Sequence, residues 1–351
     1  MRQEIGAWQD PSGEDLSSFE TAKKSPAQEL HHILHSNQAA VPLIVLVASV
    51  GLFGVLDGNK FFSVSALSVI LQQVAITGII GAAQTLVILS AGIDLSVGSI
   101  MTLSSVVMGQ FAFRYGFPVS ISILCGFGLA AGCGWINGVL VARMRLPAFI
   151  VTFGTWQVYS AATYIFTGGE SIRGADIDEN APLLVLFGIS IRVAGASLTL
   201  GVASMILLVC LLWYILNFTA WGRRIYAMGD DKDAAILSGV PVPRMMVTVY
   251  TVSGLISALA GWVMIGRIHS VAPTVGEFAN IEAITAAVIG GVSLSGGRGS
   301  VLGMLFGALV VGVISLGLDL YGSDAQWTYL SIGVFIIVAV SIDQWIKRVG
   351  Q

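Results

Sequence analysis

The chain has 351 residues, of which 55% are hydrophobic and only 11% are charged. Soluble domains carry roughly 25% charged residues, so this composition excludes an ordinary soluble protein. The net charge of −3 is uninformative, because the placement of charge matters more than its sum here. The three cysteines all lie inside apolar segments, which is typical of small packing residues and not of disulfide partners or metal ligands.

Residues 1–39 are polar and lack apolar periodicity, which predicts a flexible cytoplasmic tail. His31, His32 and His35 in this tail include one i, i+4 pair of the kind that binds metal. No nearby cysteine completes a site, and Glu29 is the only neighbouring carboxylate, so we predict no metal site. The remaining residues, 40–351, are predicted to form one transmembrane domain.

Apolar runs long enough to cross a bilayer, at about 20 residues each, recur along the whole of that domain. The predicted spans are 40–57, 73–92, 97–113, 118–142, 148–166, 196–218, 245–265, 281–293, 301–319 and 328–345. The run at 281–293 is short enough to be a half-span. Segments 61–72 and 181–194 are apolar but interrupted by polar residues, which predicts interfacial positions. The expected fold is therefore all-α, a polytopic bundle of about ten transmembrane helices.

Basic residues indicate how this bundle is oriented. With ten spans and an inside N-terminus, 12 of the 17 basic residues fall on the inner side and 5 on the outer side. This asymmetry has the sign of the positive-inside rule. Both termini are therefore predicted to be cytoplasmic.

Glycine pairs at four-residue spacing occur within the predicted spans, and such pairs let helix backbones approach closely. They are Gly128/Gly132, Gly134/Gly138 and Gly303/Gly307. There is also a weak internal repeat: residues 93–100 and 294–301 each connect two spans and each place Gly-Ser before an aliphatic helix. Related span–turn–span units are typical of transporters.

The longest polar interruption between apolar segments is Thr219–Arg244, in which 7 of 26 residues are charged. Such a stretch must lie in water. Asp230 and Asp231 suit a helix N-terminus, and Gly239 suits a helix end, so a short helix is predicted between them. It is either a docking site for a soluble cytoplasmic partner or a solvated connector. The residues assigned to the docking interpretation are Asp230, Asp231, Asp233, Ala234, Ala235 and Gly239.

Asp94 lies between two apolar runs, far from any basic residue. A carboxylate at that depth must have its oxygens satisfied. We predict that Asp94 or Ser96 caps the helix that begins near Val97, and that Gly98 belongs to the same turn. The functional alternative is a proton or substrate site at membrane depth.

Several polar side chains lie inside the predicted spans. Amide, hydroxyl and indole groups suit a neutral polyol, although each could equally make an interhelical hydrogen bond. The candidates for a sugar pathway are Gln84, Asn137, Thr152, Trp156 and Tyr159.

Catalytic motifs are missing from the sequence. It contains no GxSxG, no HExxH and no Gly-Lys dipeptide, so it has no Walker A phosphate loop. We therefore expect no catalytic residue and no cofactor bound by this chain. ATP-driven work would need a separate polypeptide that binds ATP and Mg²⁺.

Three stretches carry a family resemblance. AGIDLSVGSIMTLSSVV (91–107), LPAFIVTFGTWQVYSAATYIFTGG (146–169) and ITAAVIGGVSLSGGRGSVLGMLFGALVVG (284–312) resemble the ribose-type branch of ABC sugar importer permeases. The resemblance covers nearly all of the chain from residue 40 onward. Asp233-Ala234-Ala235-x-x-x-Gly239 resembles the coupling motif Glu-Ala-Ala-x-x-x-Gly of importer permeases, with Asp in place of Glu.

The resemblance implies a permease subunit of a bacterial inner membrane that imports a monosaccharide, fructose or a ribose-like sugar. It implies a homodimer working with a cytoplasmic sugar-importer ATPase and a periplasmic sugar-binding protein. No nucleic-acid partner is expected. Two alternatives remain open: an ion-coupled secondary sugar transporter, which would need carboxylates such as Asp94, Glu282 or Asp319, and an intramembrane enzyme, which the missing catalytic motifs disfavour.

Overall fold

A computed structural model of the chain describes residues 40–172, 177, 181–193, 195–276, 278–322, 324, 326–328, 330–334, 337 and 341. The predicted tail at 1–39 lies outside the described residues. Most residues of the predicted span at 328–345 lie outside them as well.

The described part is predominantly helical, as predicted. Its named elements are α1 (Ala40–Asp57), α2 (Val64–Leu89), α3 (Val97–Phe113), α4 (Val119–Ala142), α5 (Ala148–Thr167), a 3₁₀ turn (Leu186–Gly188), β1 (Ser190–Val193), β2 (Ala196–Thr199), α6 (Leu200–Phe218), α7 (Ala220–Asp230), α8 (Lys232–Leu237), α9 (Val242–Ile268), α10 (Ala279–Ile289) and α11 (Val301–Leu320).

Five of these helices are long and apolar enough to cross a membrane: α2, α4, α6, α9 and α11. Helices α3 and α10 are apolar but shorter. A helical membrane bundle is thus confirmed, whereas the number of spans and their orientation stay predictions.

Helix α2 begins nine residues before the predicted span at 73–92. Ser63 caps it by accepting a hydrogen bond from the Ala66 N–H. The polar side chains that had indicated an interfacial segment are satisfied inside the protein, because the Ser68 hydroxyl accepts from the Ser197 N–H at 2.9 Å. The Gln72 amide donates to the Ser197 carbonyl at 3.4 Å. Residues 64–72 therefore belong to the same helix as the predicted span at 73–92, and their interfacial position stays a prediction.

Segment 181–194 contains the 3₁₀ turn and strand β1, which pairs antiparallel with β2. The predicted span at 196–218 therefore starts as a strand and becomes helical only at Leu200, where Thr199 caps α6. The sequence prediction missed this hairpin because each strand has only four residues and β2 was assigned to the start of the apolar run that becomes α6.

The polar segment Thr219–Arg244 contains two helices where only one was predicted. Thr219 caps α7 by accepting from the Gly222 N–H. Helix α7 has a buried face with Ile225 and Met228 and an exposed face. Its amphipathic pattern was hidden by the high charge of the segment as a whole.

Helix α2 forms the centre of the bundle, since every residue from 74 to 90 is buried. Helix α9 packs against α4, α2 and α3, and α11 packs against α10 and α2. The glycine pairs contribute unequally to these contacts. Gly134 and Gly138 of α4 lie against the α9 backbone, whereas no atom of the described chain lies within 4 Å of a Cβ built on Gly128.

Candidate functional site

The predicted docking helix is present as α8. Asp231 caps it by accepting from the N–H groups of Asp233 and Ala234, at 2.9 and 3.0 Å. Gly239 follows it with a φ of 81°, the left-handed conformation expected at a helix end. Asp230 is not at the start of α8 but is the last residue of α7.

The C-terminal end of α8 exposes two apolar side chains, whereas its first two residues, Lys232 and Asp233, are exposed and charged. Leu237 is 89% exposed and Ile236 is 54% exposed on the surface of the single chain. Ala235, in contrast, is buried inside the chain at 3% exposure. Of the residues assigned to the docking interpretation, Ala235 therefore faces the chain's own bundle and is not on the outer surface of α8.

The end of α7 contacts two turns at once. A Cβ built on Gly229 would overlap the Leu89 carbonyl oxygen and would lie 2.6 Å from the Gly297 nitrogen. Leu89 ends α2, and Gly297 lies in the turn between α10 and α11. The Tyr226 hydroxyl of α7 also donates to the Gly299 carbonyl at 2.9 Å. The segment that carries α8 is thus joined directly to the membrane bundle.

The turn between α2 and α3 contains Asp94, which is completely buried. Its Oδ1 accepts from the backbone N–H of Ser96 at 2.8 Å and from the Ser96 hydroxyl at 2.6 Å. Ser96 occupies the N-cap position of α3 but makes no side-chain cap hydrogen bond. The helix-cap prediction is therefore wrong in detail: the carboxylate closes the turn onto Ser96 and does not bind N–H groups inside the helix.

Three other helices hold this turn. The Asn137 amide of α4 donates to the Ser96 hydroxyl at 2.7 Å, and the Asn280 amide of α10 donates to the Leu95 carbonyl at 3.1 Å. The Thr152 hydroxyl of α5 donates to the Ile93 carbonyl at 3.0 Å. Helices α4, α5 and α10 and the turn between α2 and α3 therefore meet at one polar cluster.

Gly98 and Tyr159 lie beside this cluster. The Tyr159 hydroxyl donates to the Cys133 carbonyl at 3.1 Å and lies 3.5 Å from Asn137 Oδ1. A Cβ built on Gly98 would lie 3.1 Å from the Asn280 nitrogen, so α3 and α10 approach closely there. A larger side chain at Gly98 would separate the two helices.

The predicted pathway residues separate into three groups. Asn137, Thr152 and Tyr159 are buried and hydrogen-bonded around the Asp94 turn, as interhelical bonds would require. Gln84 is fully buried in α2, and neither of its amide atoms has a protein partner. Trp156 lines a cavity of about 200 Å³ together with Ser99, Thr102 and Gln157.

Comparison with known proteins agrees with this architecture. The family model for the permease component of branched-chain amino acid transport systems matches residues 66–340. That is more than half of the 351 residues. The chain belongs to this family of transport permeases.

Relatives of the permease are sugar importers by name. The fructose import permease protein of Rhizobium meliloti is 63% identical over 339 residues, covering 97% of this chain and 94% of the relative. The ribose import permease protein of Bacillus subtilis (strain 168) is 38% identical over 275 residues, covering 78% of this chain and 83% of the relative. That of Escherichia coli (strain K12) is 36% identical over 312 residues, covering 88% and 94%. No solved structure matches the chain.

These findings confirm the resemblance to the ribose-type branch of ABC importer permeases. The permease is a transport component of the inner membrane and not an enzyme. Membership also implies that an ATPase and a periplasmic binding protein work with it.

Sequence reasoning missed two features of the site: the packing of α7 between two turns, and the contact of three helices with the Asp94 turn. Both depend on residues far apart in the chain.

Proposed function

We propose that the permease, as a homodimer, imports a monosaccharide of the fructose or ribose type that a periplasmic binding protein delivers. The observation that carries this proposal is the 63% identity, along 97% of the chain, to a fructose import permease. Fructose is therefore the first sugar to test. Other relatives are named for ribose, allose and autoinducer 2, so the family accepts several small polyols.

Energy is proposed to come from ATP bound to a separate ATPase subunit, with no cofactor bound by this chain. The apolar tip of α8, formed by Ile236 and Leu237, offers such a partner an apolar contact on an otherwise polar segment. Helix α7 then links that surface to the turns at Leu89 and Gly297. A displacement of α8 would therefore be transmitted to the bundle through closely packed backbone.

The test is uptake of labelled fructose into vesicles that contain the permease, its ATPase and its binding protein. Uptake should require ATP and both partners, and ribose and allose should serve as competitors. Fructose uptake driven by a proton or sodium gradient, without the ATPase, would instead support the secondary-transporter alternative. Cross-linking in the same vesicles tests the homodimer.

A further inference from the structure

A second cavity lies where α2, α9 and α10 meet, and its lining residues Gly276 and Ala279 also lie beside Gly98. Its volume is about 340 Å³, and six of its lining residues are polar or aromatic groups: Gln73, Thr77, Arg267, Thr274, Phe278 and Glu282. Pockets that bind small molecules typically measure about 300–1,000 Å³. The cavity therefore has the size of a small-ligand site.

This cavity lies away from α8, toward the other side of the bundle. Arg267 is in the last turn of α9, whereas Val242, at the other end of the same helix, follows the α7–α8 segment. With 27 residues, α9 is about 40 Å long. Thr77 likewise lies three turns before Leu89, the residue that contacts Gly229. If α8 faces the cytoplasm, the cavity belongs to the outer half of the permease.

The charges in this cavity favour a neutral ligand. The Thr77 hydroxyl donates to Glu282 Oε2 at 3.2 Å, so the carboxylate is held in place from α2. Arg267 and Glu282 line the same cavity and carry opposite charges. With one guanidinium and one carboxylate in its lining, the cavity has no net charge that would attract a cation or an anion. A polyol can instead donate hydroxyls to Glu282 and accept from Arg267.

The rest of the lining also suits a sugar. Gln73 offers both an amide donor and a carbonyl acceptor to a ligand with vicinal hydroxyls. The Phe278 ring is 49% exposed and supplies an apolar face for the carbon side of a sugar ring. The loop that carries Thr274 is fixed to α3, because Thr102 donates to the Val275 carbonyl at 2.6 Å. Glu282 lies in an apolar helix, and an ionisable residue in such a position is expected to have a function.

We infer that the cavity lined by Gln73, Thr77, Arg267 and Glu282 is an outward-facing subsite for the monosaccharide released by the binding protein. This inference rests on the proposed function. It assigns the first sugar contact to residues outside the Asp94 cluster, which holds the helices together. Arg267 and Glu282 hydrogen-bond the hydroxyls, and Thr77 positions the carboxylate.

The experiment uses the assembled complex in right-side-out vesicles, with Gln73→Cys introduced into a variant whose three cysteines are replaced by alanine. A membrane-impermeant thiol reagent should modify Gln73→Cys, and fructose-loaded binding protein should slow that modification several-fold. Tyr115→Cys is the control, since Tyr115 is exposed and does not line the cavity. Its modification should not respond to fructose. Equal rates for Gln73→Cys with and without fructose, or protection by sodium alone, would overturn the inference.

Uptake by the complex gives a second measurement. Thr77→Val removes the hydroxyl that holds Glu282, and we expect severalfold less fructose carried per ATP hydrolysed. Thr85→Val is the matched control, because the Thr85 hydroxyl in the same helix donates only to the Gly81 carbonyl. If the two variants carry the same amount of fructose per ATP hydrolysed, the subsite is contradicted. A different result would contradict the proposed function itself: no ATP-dependent fructose uptake by the unmodified complex.

Discussion

The Leu89 carbonyl accepts a hydrogen bond from the Gly297 N–H at 3.0 Å. Leu89 ends α2, which is buried without interruption from residue 74 onward, and Gly297 lies 208 positions later in the turn that leads to α11. Gly229, at the end of α7, lies against both of them. The segment that carries the apolar tip of α8 therefore contacts the two turns at the point where these turns contact each other.

Gly229→Ala should disturb this contact. The added methyl group would overlap the Leu89 carbonyl oxygen, and overpacking of this kind costs about 1–3 kcal/mol. We expect a lower thermal unfolding midpoint of the purified permease and weaker stimulation of the ATPase by loaded binding protein. Gly128→Ala is the control, since open space surrounds that position. Wild-type stimulation in Gly229→Ala would show that the contact does not transmit motion.

Ala235 and Leu237 allow a paired test of α8. Arginine at buried Ala235 would force a charge into the bundle, so we expect little folded protein. Arginine at Leu237, which is 89% exposed, should leave folding intact and reduce co-purification of the ATPase. Size-exclusion profiles of the permease alone, followed by co-purification, separate the two effects. Normal ATPase binding by Leu237→Arg would mean that α8 is only a solvated connector.

Gly239→Val tests the end of α8. Its φ of 81° is a conformation that costs a non-glycine residue about 1–2 kcal/mol, and more when the residue is β-branched. Membrane insertion and binding-protein docking should persist, because they involve other surfaces. ATP hydrolysis stimulated by loaded binding protein should fall. Stimulation and uptake equal to the wild type would contradict a coupling role for this segment.

Asp94→Asn should retain most transport, because the amide oxygen can still accept both hydrogen bonds from Ser96. Asp94→Leu removes the acceptor and should reduce the yield of folded protein, since buried donors left without partners cost about 1–3 kcal/mol each. Asp319→Asn is a control at an exposed carboxylate. Normal insertion of Asp94→Asn with no transport would require a role for the charge itself.

The predicted topology can be tested with reporter fusions. Fusions after Arg145, within 230–233 and at Gln351 should report the cytoplasm, and a fusion near Ala175 should report the periplasm. Arg114 and Glu170 form an ion pair, so the connection after α3 and the end of α5 lie on the same face of the bundle. A fusion after Tyr115 should therefore agree with the one near Ala175. A periplasmic signal from 230–233 would place α8 on the wrong side for an ATPase.

The internal repeat in the sequence corresponds only in part to similar local structure. The turns at 93–100 and 294–301 were compared only because each has Gly-Ser before an aliphatic helix. In the fold, Ser300 caps α11 by accepting from the Gly303 N–H, whereas Ser99 lies inside α3 and donates to the Ser96 carbonyl. The two turns are thus different locally, yet Gly296 of the second packs against Ala91, two residues before the first. Similarity in sequence did not predict that contact.

The sequence by itself determined the helical membrane class, the family and most helix bounds, because a bilayer requires long apolar segments whose backbone groups are satisfied internally. It also located α8, since Asp231 and Gly239 are local signals of a helix start and end. Only the tertiary structure decided which side of α8 is free, what Asp94 binds, and that Glu282 and Thr77 share a cavity. These features depend on packing between residues as much as 205 positions apart, which no local pattern records.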